Sequence, residues 1–381
     1  MLRELLFLAD ECCGNMSDGW FSRWFYDKAF IEIGGFTIAK YAMCLLTSII
    51  IAYFVCTKEG EKMGIKRDQV LTILIITVPI CVIGGRIGYM LTDGIPTFST
   101  KIENYGFFGG IFGGLMSIIG FEGAPGEWTF YGISGMTMIG VIISCFMMII
   151  ISCIWHKWSL LNFMDEVTPG LLIGSIVGRW GNFFNQEAYG IVVGGWNLVG
   201  NELVPKLTIE QQYNKLLSFG IPKFIVNNMC INGGNYYYGL VNGEQMYGNV
   251  SGYAYYHPAF LYESLLNLIG LILYFIARRK FKKLRSGQIA AGYLMWYGIV
   301  RFFIEFIRTD SLYINFFGTP VKNAQVFCVI FTLIGLGIML YLGIFKKNSE
   351  LYQDALKKGE KIREDENNKD DEVVDLKKEA K

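Results

Sequence analysis

Residues 171–190 read LLIGSIVGRWGNFFNQEAYG. The run LLIGSIV is typical of the end of a membrane span, but the residues after it include an arginine, two asparagines, a glutamine and a glutamate. Ionisable side chains are costly inside a bilayer, so those that occur in spans mark candidate functional sites. We therefore ask how many such spans the chain has and which other polar groups lie at the depth of this one.

The composition is that of a polytopic membrane protein. The chain has 381 residues, of which 52% are hydrophobic and 18% are charged, whereas soluble domains carry roughly 25% charged residues. Much of the charge lies after Phe345, which leaves the rest of the chain poorer still. The formal net charge is +1 and no basic stripe with interleaved aromatics occurs outside short loops, so we expect no nucleic acid partner.

Seven segments come close to or reach the length of a transmembrane helix, which requires about 20 mostly apolar residues. These segments are 36–56, 70–91, 132–154, 167–184, 259–277, 288–307 and 324–345. The sequence therefore predicts an all-α polytopic membrane protein with seven transmembrane helices and a small outer-side head domain.

The segment 105–121, YGFFGGIFGGLMSIIGF, is apolar but short, and the charges of the loops decide how we interpret it. Short basic loops lie on the cytoplasmic side of a membrane. Seven spans place every basic loop there, including RRKFKKLR at 278–285, whereas an eighth span would place that loop outside. We therefore predict that 105–121 is a re-entrant or surface element on the outer side, with the N-terminus outside and the C-terminus in the cytoplasm.

This topology divides the chain into three parts. We expect residues 1–34 to form an outer-side N-terminal arm and residues 35–345 to form the seven-span domain. Within that domain, 191–256 is rich in Asn, Gly and Tyr and is predicted to form the outer head. Residues 346–381 are mostly Lys, Glu, Asp and Asn and cannot bury a core, so they are predicted to be a cytoplasmic tail that is disordered or a frayed helix.

The polar residues of the spans converge on one level of the membrane. On this topology nearly all of them lie in the outer halves of the spans, and the inner halves hold almost none. Arg301 and Glu305 are four residues apart, which places them on one face of a helix. The other candidates at the outer level are Tyr41, Arg86, Tyr131, Arg179, Asn182, Glu187, His257 and Glu263. Their convergence predicts a polar cavity that is open to the outer leaflet.

Each of these residues also has a purely structural interpretation. An arginine near the end of a span commonly extends to the interface. Arg301 and Glu305 could form an ion-pair ladder, and Asn182 could make an interhelical hydrogen bond. Five spans each send a charged residue to one level, however, and this convergence favours a shared functional site.

Arginines accompanied by asparagines suit a phosphate group, which arginine binds through two parallel hydrogen bonds. A cavity at headgroup depth therefore suits a phospholipid. We expect no metal site, because the chain has only two histidines and His156 lies on the opposite side of the membrane. The sequence has no GxSxG motif, so a serine nucleophile is not supported.

Four sequence blocks resemble those of the bacterial prolipoprotein diacylglyceryl transferase family. GRWGNFFNQEAYG at 178–190 is similar to the family signature, which runs Gly-Arg-x-Gly-Asn-Phe-x-Asn-Gly-Glu-x-x-Gly. The other blocks are HPAFLYE at 257–263, RFFIEFIR at 301–308 and GGRIGYML at 84–91, and MDEVTP at 164–169 resembles the entry to the signature helix. The resemblance covers roughly residues 35–345 and implies a seven-span protein of the bacterial plasma membrane with its N-terminus outside.

The resemblance also implies an activity. The family transfers a diacylglyceryl group from phosphatidylglycerol to the lipobox cysteine thiol of a lipoprotein precursor, which forms a thioether and releases glycerol phosphate, and no cofactor is implied. Arg179 and Arg301 would hold the headgroup phosphate, and Glu305 would orient Arg301. The remaining site residues in matching positions are Tyr41, Arg86, Asn182, Glu187, Gly190, His257, Glu263 and Tyr297.

Three places depart from the family pattern. In the first span, Ala39-Lys40-Tyr41-Ala42 stands where the family has Arg-Trp-Tyr-Gly, and an alternative alignment that disagrees with the span count puts Phe108 at the position assigned below to Tyr131. Gln186 stands where the family has glycine, and Tyr131 stands where the family often has the histidine of a His-Gly-Gly block. Tyrosine, with a pKa near 10, is a poor base at neutral pH, although it can donate or relay a proton. A non-catalytic phospholipid-binding homologue therefore stays open as an alternative. A transporter is a weaker one, because no inverted repeat is visible and the inner halves of the spans lack the polar residues of a pathway.

Overall fold

The protein is helical and has seven helices that are long and apolar enough to cross a membrane. The computed structural model describes residues 29–33, 36–92, 95–118, 121–123, 127–130, 137–199, 202–232, 235–241, 244–250, 252–309, 311, 313–316, 319–345 and 350–364. The seven candidate spans are Lys40–Met63, Arg67–Met90, Ile139–His156, Leu160–Asn185, Ala259–Lys280, Gln288–Ile307 and Asn323–Phe345. The predicted fold class and number of spans are confirmed.

The secondary structure consists of these spans, shorter helices and two-stranded antiparallel sheets. The helices are α1 Lys40–Gly60, α2 Arg67–Thr92, α3 Ile95–Ile118, α4 Met138–His156, α5 Leu160–Asn185, α6 Ile209–Ser218, α7 Lys223–Asn228, α8 Ala259–Lys280, α9 Gln288–Ile307, α10 Asn323–Leu340 and α11 at 352–364. The strands are β1 Ala29–Ile33, β2 Phe36–Ala39, β3 Phe121–Glu122, β4 Thr129–Phe130, β5 Trp196–Val199, β6 Glu202–Pro205, β7 Cys230–Asn232, β8 Asn235–Val241, β9 Glu244–Asn249, β10 Tyr253–Tyr255, β11 Tyr313–Phe316 and β12 Thr319–Lys322. Neighbouring strands in the chain pair with each other, except that β7 pairs with β10.

The helix α3 covers most of the segment predicted not to cross the membrane. It is kinked at Gly106, whose φ of 72° is a conformation that glycine adopts without a steric penalty. It is not among the seven candidate spans. That α3 stays on the outer side remains a prediction.

The chain divides into two compact units, Met1–Cys56 with Met164–Ala355 and Thr57–Phe163 with Leu356–Lys381. In the second unit, α2 and α4 pack at a crossing of small residues. A Cβ atom added to Gly140 would come 2.2 Å from the carbonyl oxygen of Gly84, so glycine is needed at this crossing. Close backbone approach of this kind is a common means of helix association in membranes.

In the first unit, the predicted outer head folds around a small hydrophobic core. Leu203, Leu216 and Tyr256 are among its fully buried side chains. The helix α6 begins with a capping box, in which the Thr208 hydroxyl accepts from the N–H of Gln211 and the Gln211 side chain accepts from the N–H of Thr208. The core includes Phe183 and Phe260, so the head packs on the ends of α5 and α8. We call this end of the first unit the head end.

The opposite end of the first unit holds a buried polar cluster, which corrects the expectation that the inner halves of the spans hold almost no ionisable groups. The helix α5 begins at Leu160, earlier than the predicted span, and includes Asp165 and Glu166. Asp165 accepts hydrogen bonds from the N–H groups of Gly287 and Ala290 at 2.7 and 2.8 Å. Arg278 Nη2 donates to Glu166 Oε1 at 3.0 Å. Because residues 165–166 are polar, hydropathy alone does not assign them to the span. Their pairing with other polar groups allows them to be buried.

The start of the tail is a helix, which is one of the two alternatives, disorder or a frayed helix, that its composition predicts. Residues 352–364 are helical. Tyr352 is 1% exposed, its N–H donates to the carbonyl oxygen of Leu284 at 2.8 Å, and its hydroxyl lies 3.3 Å from Glu166 Oε1. Its ring also lies 5.1 Å from the guanidinium of Arg278. The tail therefore begins as part of the first unit, and residues 365–381 lie outside the described residues.

Candidate functional site

Three helices of the first unit bring two arginines and two glutamates together at the head end. Arg179 on α5 lies 2.6 Å from Glu263 of α8, measured from Nη2 to Oε1. Arg301 on α9 lies 3.8 Å from the other oxygen of Glu263, and its Nη2 lies 2.8 Å from Glu305 Oε2. One carboxylate therefore faces two arginines. The prediction that these four residues converge is confirmed by these distances.

The glutamates are buried behind the arginines. The side chains of Glu263 and Glu305 are 3% and 2% exposed, whereas those of Arg179 and Arg301 are 20% and 14% exposed. Arg301 Nη1 is buried and has no hydrogen-bond acceptor among the described residues. The carboxylates thus orient the guanidinium groups and leave part of their donor capacity for a ligand.

A third arginine and a tyrosine lie near this centre. Arg308 lies close enough to Arg179 for an electrostatic interaction, as does Tyr297. Guanidinium groups suit a phosphate, which they bind through two parallel hydrogen bonds.

The signature residues after Arg179 form a hydrogen-bonded turn. Asn182 and Asn185 both donate through Nδ2 to Glu187 Oε1, at 3.0 and 3.3 Å. Gln186 has a φ of 52°, which is the left-handed conformation that glycine adopts freely. The carboxylate of Glu187 is thereby fixed at the end of α5, as the signature predicts.

Gly190 allows the chain after this turn to pass close to His257. Its N–H donates to the carbonyl oxygen of His257 at 2.8 Å, and an added Cβ would lie 2.9 Å from that oxygen and from the His257 Cβ. Gly190 also forms an isolated antiparallel bridge with Arg308. The glycine therefore holds the ends of three predicted sequence blocks together.

His257 lies half-buried at the start of α8. Its Nδ1 is 3.1 Å from the hydroxyl of Tyr262, and its ring stacks on Phe219 with the ring centres 6.2 Å apart. Burial, and then the nearby Lys215, lower the pKa of His257 below its ordinary value of 6.5. The imidazole is therefore neutral at physiological pH and can accept a proton.

Two predicted tyrosines also belong to this region. An added Cβ on Gly181 would lie 2.5 Å from Tyr41 Cδ2, so the ring of Tyr41 packs directly on α5 within three residues of Arg179. Tyr297 on α9 is close enough to Arg179, Arg301 and Glu263 for electrostatic interactions. Both placements agree with the roles that the resemblance implies, which remain predictions.

Two further predicted site residues lie outside the described part of the first unit. Arg86 belongs to the second unit, where it is 4% exposed and its Nη2 donates to the carbonyl oxygen of Ser117. Tyr131 lies outside the described residues.

Sequence reasoning missed Lys322 and Asn228. Lys322 Nζ donates to the carbonyl oxygens of Glu305 and Arg308, at 3.2 Å for Arg308, and so caps the last turn of α9. Asn228 accepts from Gln186 Nε2 at 3.1 Å and donates to the carbonyl oxygen of Phe183. Lys322 was detectable as a basic residue before the last span, whereas Asn228 has no sequence signal, because its role depends on the fold of the head.

Metal ligands are not grouped in the part of the chain that the structure describes. No set of three or more His, Cys, Asp or Glu side chains there could hold a metal ion.

Comparison with known proteins gives one consistent result. The family model of the prolipoprotein diacylglyceryl transferases matches residues 28–341. A protein of Streptococcus sanguinis (strain SK36), named phosphatidylglycerol–prolipoprotein diacylglyceryl transferase, is 31% identical over 328 residues, which are 86% of this chain and 99% of the relative. Proteins of the same name from Streptococcus pneumoniae (strain ATCC 700669 / Spain 23F-1) and Streptococcus agalactiae serotype Ia are 32% and 28% identical, over 86% and 82% of this chain and 97% and 94% of their own.

Proposed function

This chain, a multi-pass membrane protein, belongs to the prolipoprotein diacylglyceryl transferase family, and from that premise we propose its reaction. The enzyme transfers a diacylglyceryl group from phosphatidylglycerol to the lipobox cysteine thiol of a lipoprotein precursor. The sulfur forms a thioether with the glycerol carbon that carries the phosphate ester. The C–O bond breaks, and glycerol phosphate leaves.

The observation that carries this proposal is the pair of arginines held by one buried carboxylate. Arg179 and Arg301 flank Glu263 at 2.6 and 3.8 Å, and both remain partly exposed. As the C–O bond breaks, negative charge grows on the leaving phosphate. Fixed guanidinium donors stabilise such charge at the moment it develops, because they need no reorganisation.

The glutamates have a positioning role in this proposal. Glu305 lies one helical turn after Arg301 and pairs with it at 2.8 Å, so the guanidinium keeps one orientation. Glu263 performs the same task for Arg179. The turn that fixes Glu187 with Asn182 and ends at Gly190 shapes the neighbouring wall.

The thiol must lose its proton, since the thiolate is the nucleophile and a free cysteine has a pKa near 8.5. We assign proton acceptance to His257, which burial keeps neutral. If its Nδ1 donates to the Tyr262 oxygen, Nε2 is free to accept the proton. Tyr131 would then act as a donor or relay, and Tyr41, Tyr297 and Arg86 as contacts to the lipid.

The topology of the chain is part of the same proposal. The head end faces the outer side, where phosphatidylglycerol and the exported precursor meet, and the basic loop at 278–285 faces the cytoplasm. The N-terminal arm 1–34, the head 191–256 and the segment 105–121 would then be outside, and the tail cytoplasmic.

The test is mass spectrometry of a lipobox peptide incubated with purified full-length protein and phosphatidylglycerol. The proposal predicts a diacylglyceryl mass shift on the peptide and none on a matched peptide with serine in place of the cysteine. Binding of the lipid without any mass shift would instead support a non-catalytic phospholipid-binding protein.

A further inference from the structure

A cavity lies between the spans of the first unit, away from the ionic centre. Its volume is about 210 Å³, and it is bounded by α5, α8, α9 and α10. Leu172, Leu273 and Met339 provide much of its apolar wall, and Gly292 leaves it open where a side chain would fill it. We call it the inner cavity.

The depth of the inner cavity matches the acyl chains of a lipid at the ionic centre. On α9 the cavity extends from Trp296 to Gln288. At about 1.5 Å per residue, this range lies about 8 to about 20 Å below Arg301 along the helix. One half of a bilayer's hydrocarbon core is about 15 Å thick, so a chain that hangs from a glycerol at Arg301 would reach this depth.

The ionic centre and the inner cavity are adjacent along α9. Tyr297 interacts electrostatically with Arg179 and Arg301. One turn further, Tyr293 lines the inner cavity, and the two tyrosine rings are 6.3 Å apart. At the same upper level the indole N–H of Trp296 is buried with no acceptor among the described residues. A lipid with an ester oxygen near the Trp296 N–H and hydrocarbon deeper in the inner cavity would suit this side of α9.

Polar contacts fix the position of the helices at the far end of the inner cavity. Gln288 donates through Nε2 to the carbonyl oxygen of Met339 at 3.1 Å. Asp165 holds the first turn of α9 through the N–H groups of Gly287 and Ala290. If the inner cavity has a fixed end, it accommodates acyl chains up to a certain length and excludes longer ones.

We propose that the inner cavity receives the end of one acyl chain of the donor lipid and thereby sets the chain length that the enzyme prefers. The inference rests on the proposed transfer from phosphatidylglycerol. A volume of about 210 Å³ is below the roughly 300–1,000 Å³ of pockets that enclose whole ligands, which fits part of a chain and excludes a second phospholipid.

The test compares two glycine-to-leucine variants at similar depth. A Cβ on Gly292 would lie 3.4 Å from the flexible end of Met339, so Gly292→Leu fills the inner cavity. Gly337 has no neighbour within 4 Å of an added Cβ and does not line the cavity, so Gly337→Leu is the matched control. Transfer from dipalmitoyl- and dilauroyl-phosphatidylglycerol is measured for both variants and for the unaltered protein, in detergent.

We expect Gly292→Leu to lower the ratio of palmitoyl to lauroyl transfer by about tenfold, because a few methylenes lose their pocket. Gly337→Leu should leave the ratio unchanged. An unchanged ratio in Gly292→Leu, or an equal loss with both lipids, overturns the proposal.

Native mass spectrometry of the same proteins with both lipids in competition separates this proposal from the proposed function. If no protein transfers from either lipid, the transferase function fails. If the unaltered protein and Gly337→Leu bind the palmitoyl lipid preferentially and Gly292→Leu does not, the result supports the inner cavity as the acyl-chain site. Equal binding of the two lipids by the unaltered protein would overturn the proposal. Equal competition by phosphatidylethanolamines of the same chain lengths would overturn the assignment to the donor lipid.

Discussion

Two polar clusters occupy the two ends of the same helices, and they are built for different purposes. At the head end, Arg179 and Arg301 are 20% and 14% exposed over buried glutamates. At the opposite end, Arg278 and Glu166 are 4% and 3% exposed, and Tyr352 covers them. In the first cluster the arginines are partly exposed and Arg301 Nη1 has no acceptor among the described residues, whereas the second cluster is shut off from solvent.

Exposure distinguishes an anion-binding site from a structural ion pair in this membrane protein. Both clusters consist of Arg and Glu, and both lie within spans. Burial of a matched pair serves to join helices, and the desolvation penalty makes its net contribution small. Partly exposed arginines over buried carboxylates instead keep N–H groups that can bind an anion. The following changes test this difference at both ends.

The largest effects should come from the same substitution at each end. Arg301→Gln should lower the transfer rate per folded molecule by about 10²–10³, because a donor aimed at developing charge is lost, in addition to the stability lost where buried Glu305 is left without its partner. Arg278→Gln should destabilise the protein by about 3–5 kcal/mol through the unpaired Glu166, with normal rate per folded molecule. Transfer assays and thermal unfolding in detergent measure both.

The control for Arg278→Gln is Arg279→Gln. The Arg279 side chain is exposed, so this change should alter the free energy of unfolding by less than about 0.5 kcal/mol. The comparison between the two ends fails if Arg278→Gln abolishes transfer by folded protein, or if Arg301→Gln acts only by unfolding it.

A pH profile should show a titrating group at the head end. The pKa of His257 is lowered from 6.5 by burial and Lys215. The stabilising contribution of its neutral form is present above about pH 6.5 and is lost as the pH falls through the lower pKa of the folded state. The transfer rate should fall in that same acidic window, because the protonated imidazole cannot accept the thiol proton.

His257→Gln should remove this acidic limb and lower the plateau rate by about 10². His156→Gln in the second unit is the control and should leave the profile intact. An unchanged limb in His257→Gln would assign the titration to another group.

A smaller effect should follow from removing one hydroxyl at the opposite end. Tyr352→Phe loses the contact to Glu166 at 3.3 Å and keeps the ring on Arg278. We expect a loss of about 1 kcal/mol in the free energy of unfolding and no change in rate. Tyr341→Phe, at an exposed tyrosine, should be neutral. A loss of transfer in Tyr352→Phe would show that the tail affects the site.

The smallest effect should come from restoring the family residue at Gln186. Gln186→Gly relieves the positive φ but loses the contacts to Asn228, so the two effects should cancel to within about 1 kcal/mol. Gln186→Ala keeps the strain and loses the contacts, so it should be the less stable variant. The prediction is wrong if thermal unfolding ranks the two in the opposite order.

The sequence predicted the seven spans and the ionic centre for a simple physical reason. Each span is a local run of apolar residues, and the one-turn spacing of Arg301 and Glu305 fixes their common face. The convergence of Arg179 and Glu263 followed from counting spans, because topology alone places the ends of α5 and α8 on one side.

The features that the sequence did not reveal depend on long-range pairing. Glu166 and Arg278 are 112 positions apart, and as single charges they argue against burial. Tyr352 lies in a charged segment whose composition predicts disorder or a frayed helix, yet one aromatic side chain and a few backbone hydrogen bonds anchor it. Such contacts become visible only when the helices that carry them are packed.

The central claim is that Arg179 and Arg301 act together on one phosphate. It is tested most directly by measuring the transfer rate and phosphatidylglycerol affinity of Arg179→Gln, Arg301→Gln and the double variant on folded, purified protein. The account predicts that each single change lowers both quantities and that the double loss is close to the larger single loss, because groups that act as a unit are not additive. Two independent losses that multiply in the double variant would contradict it.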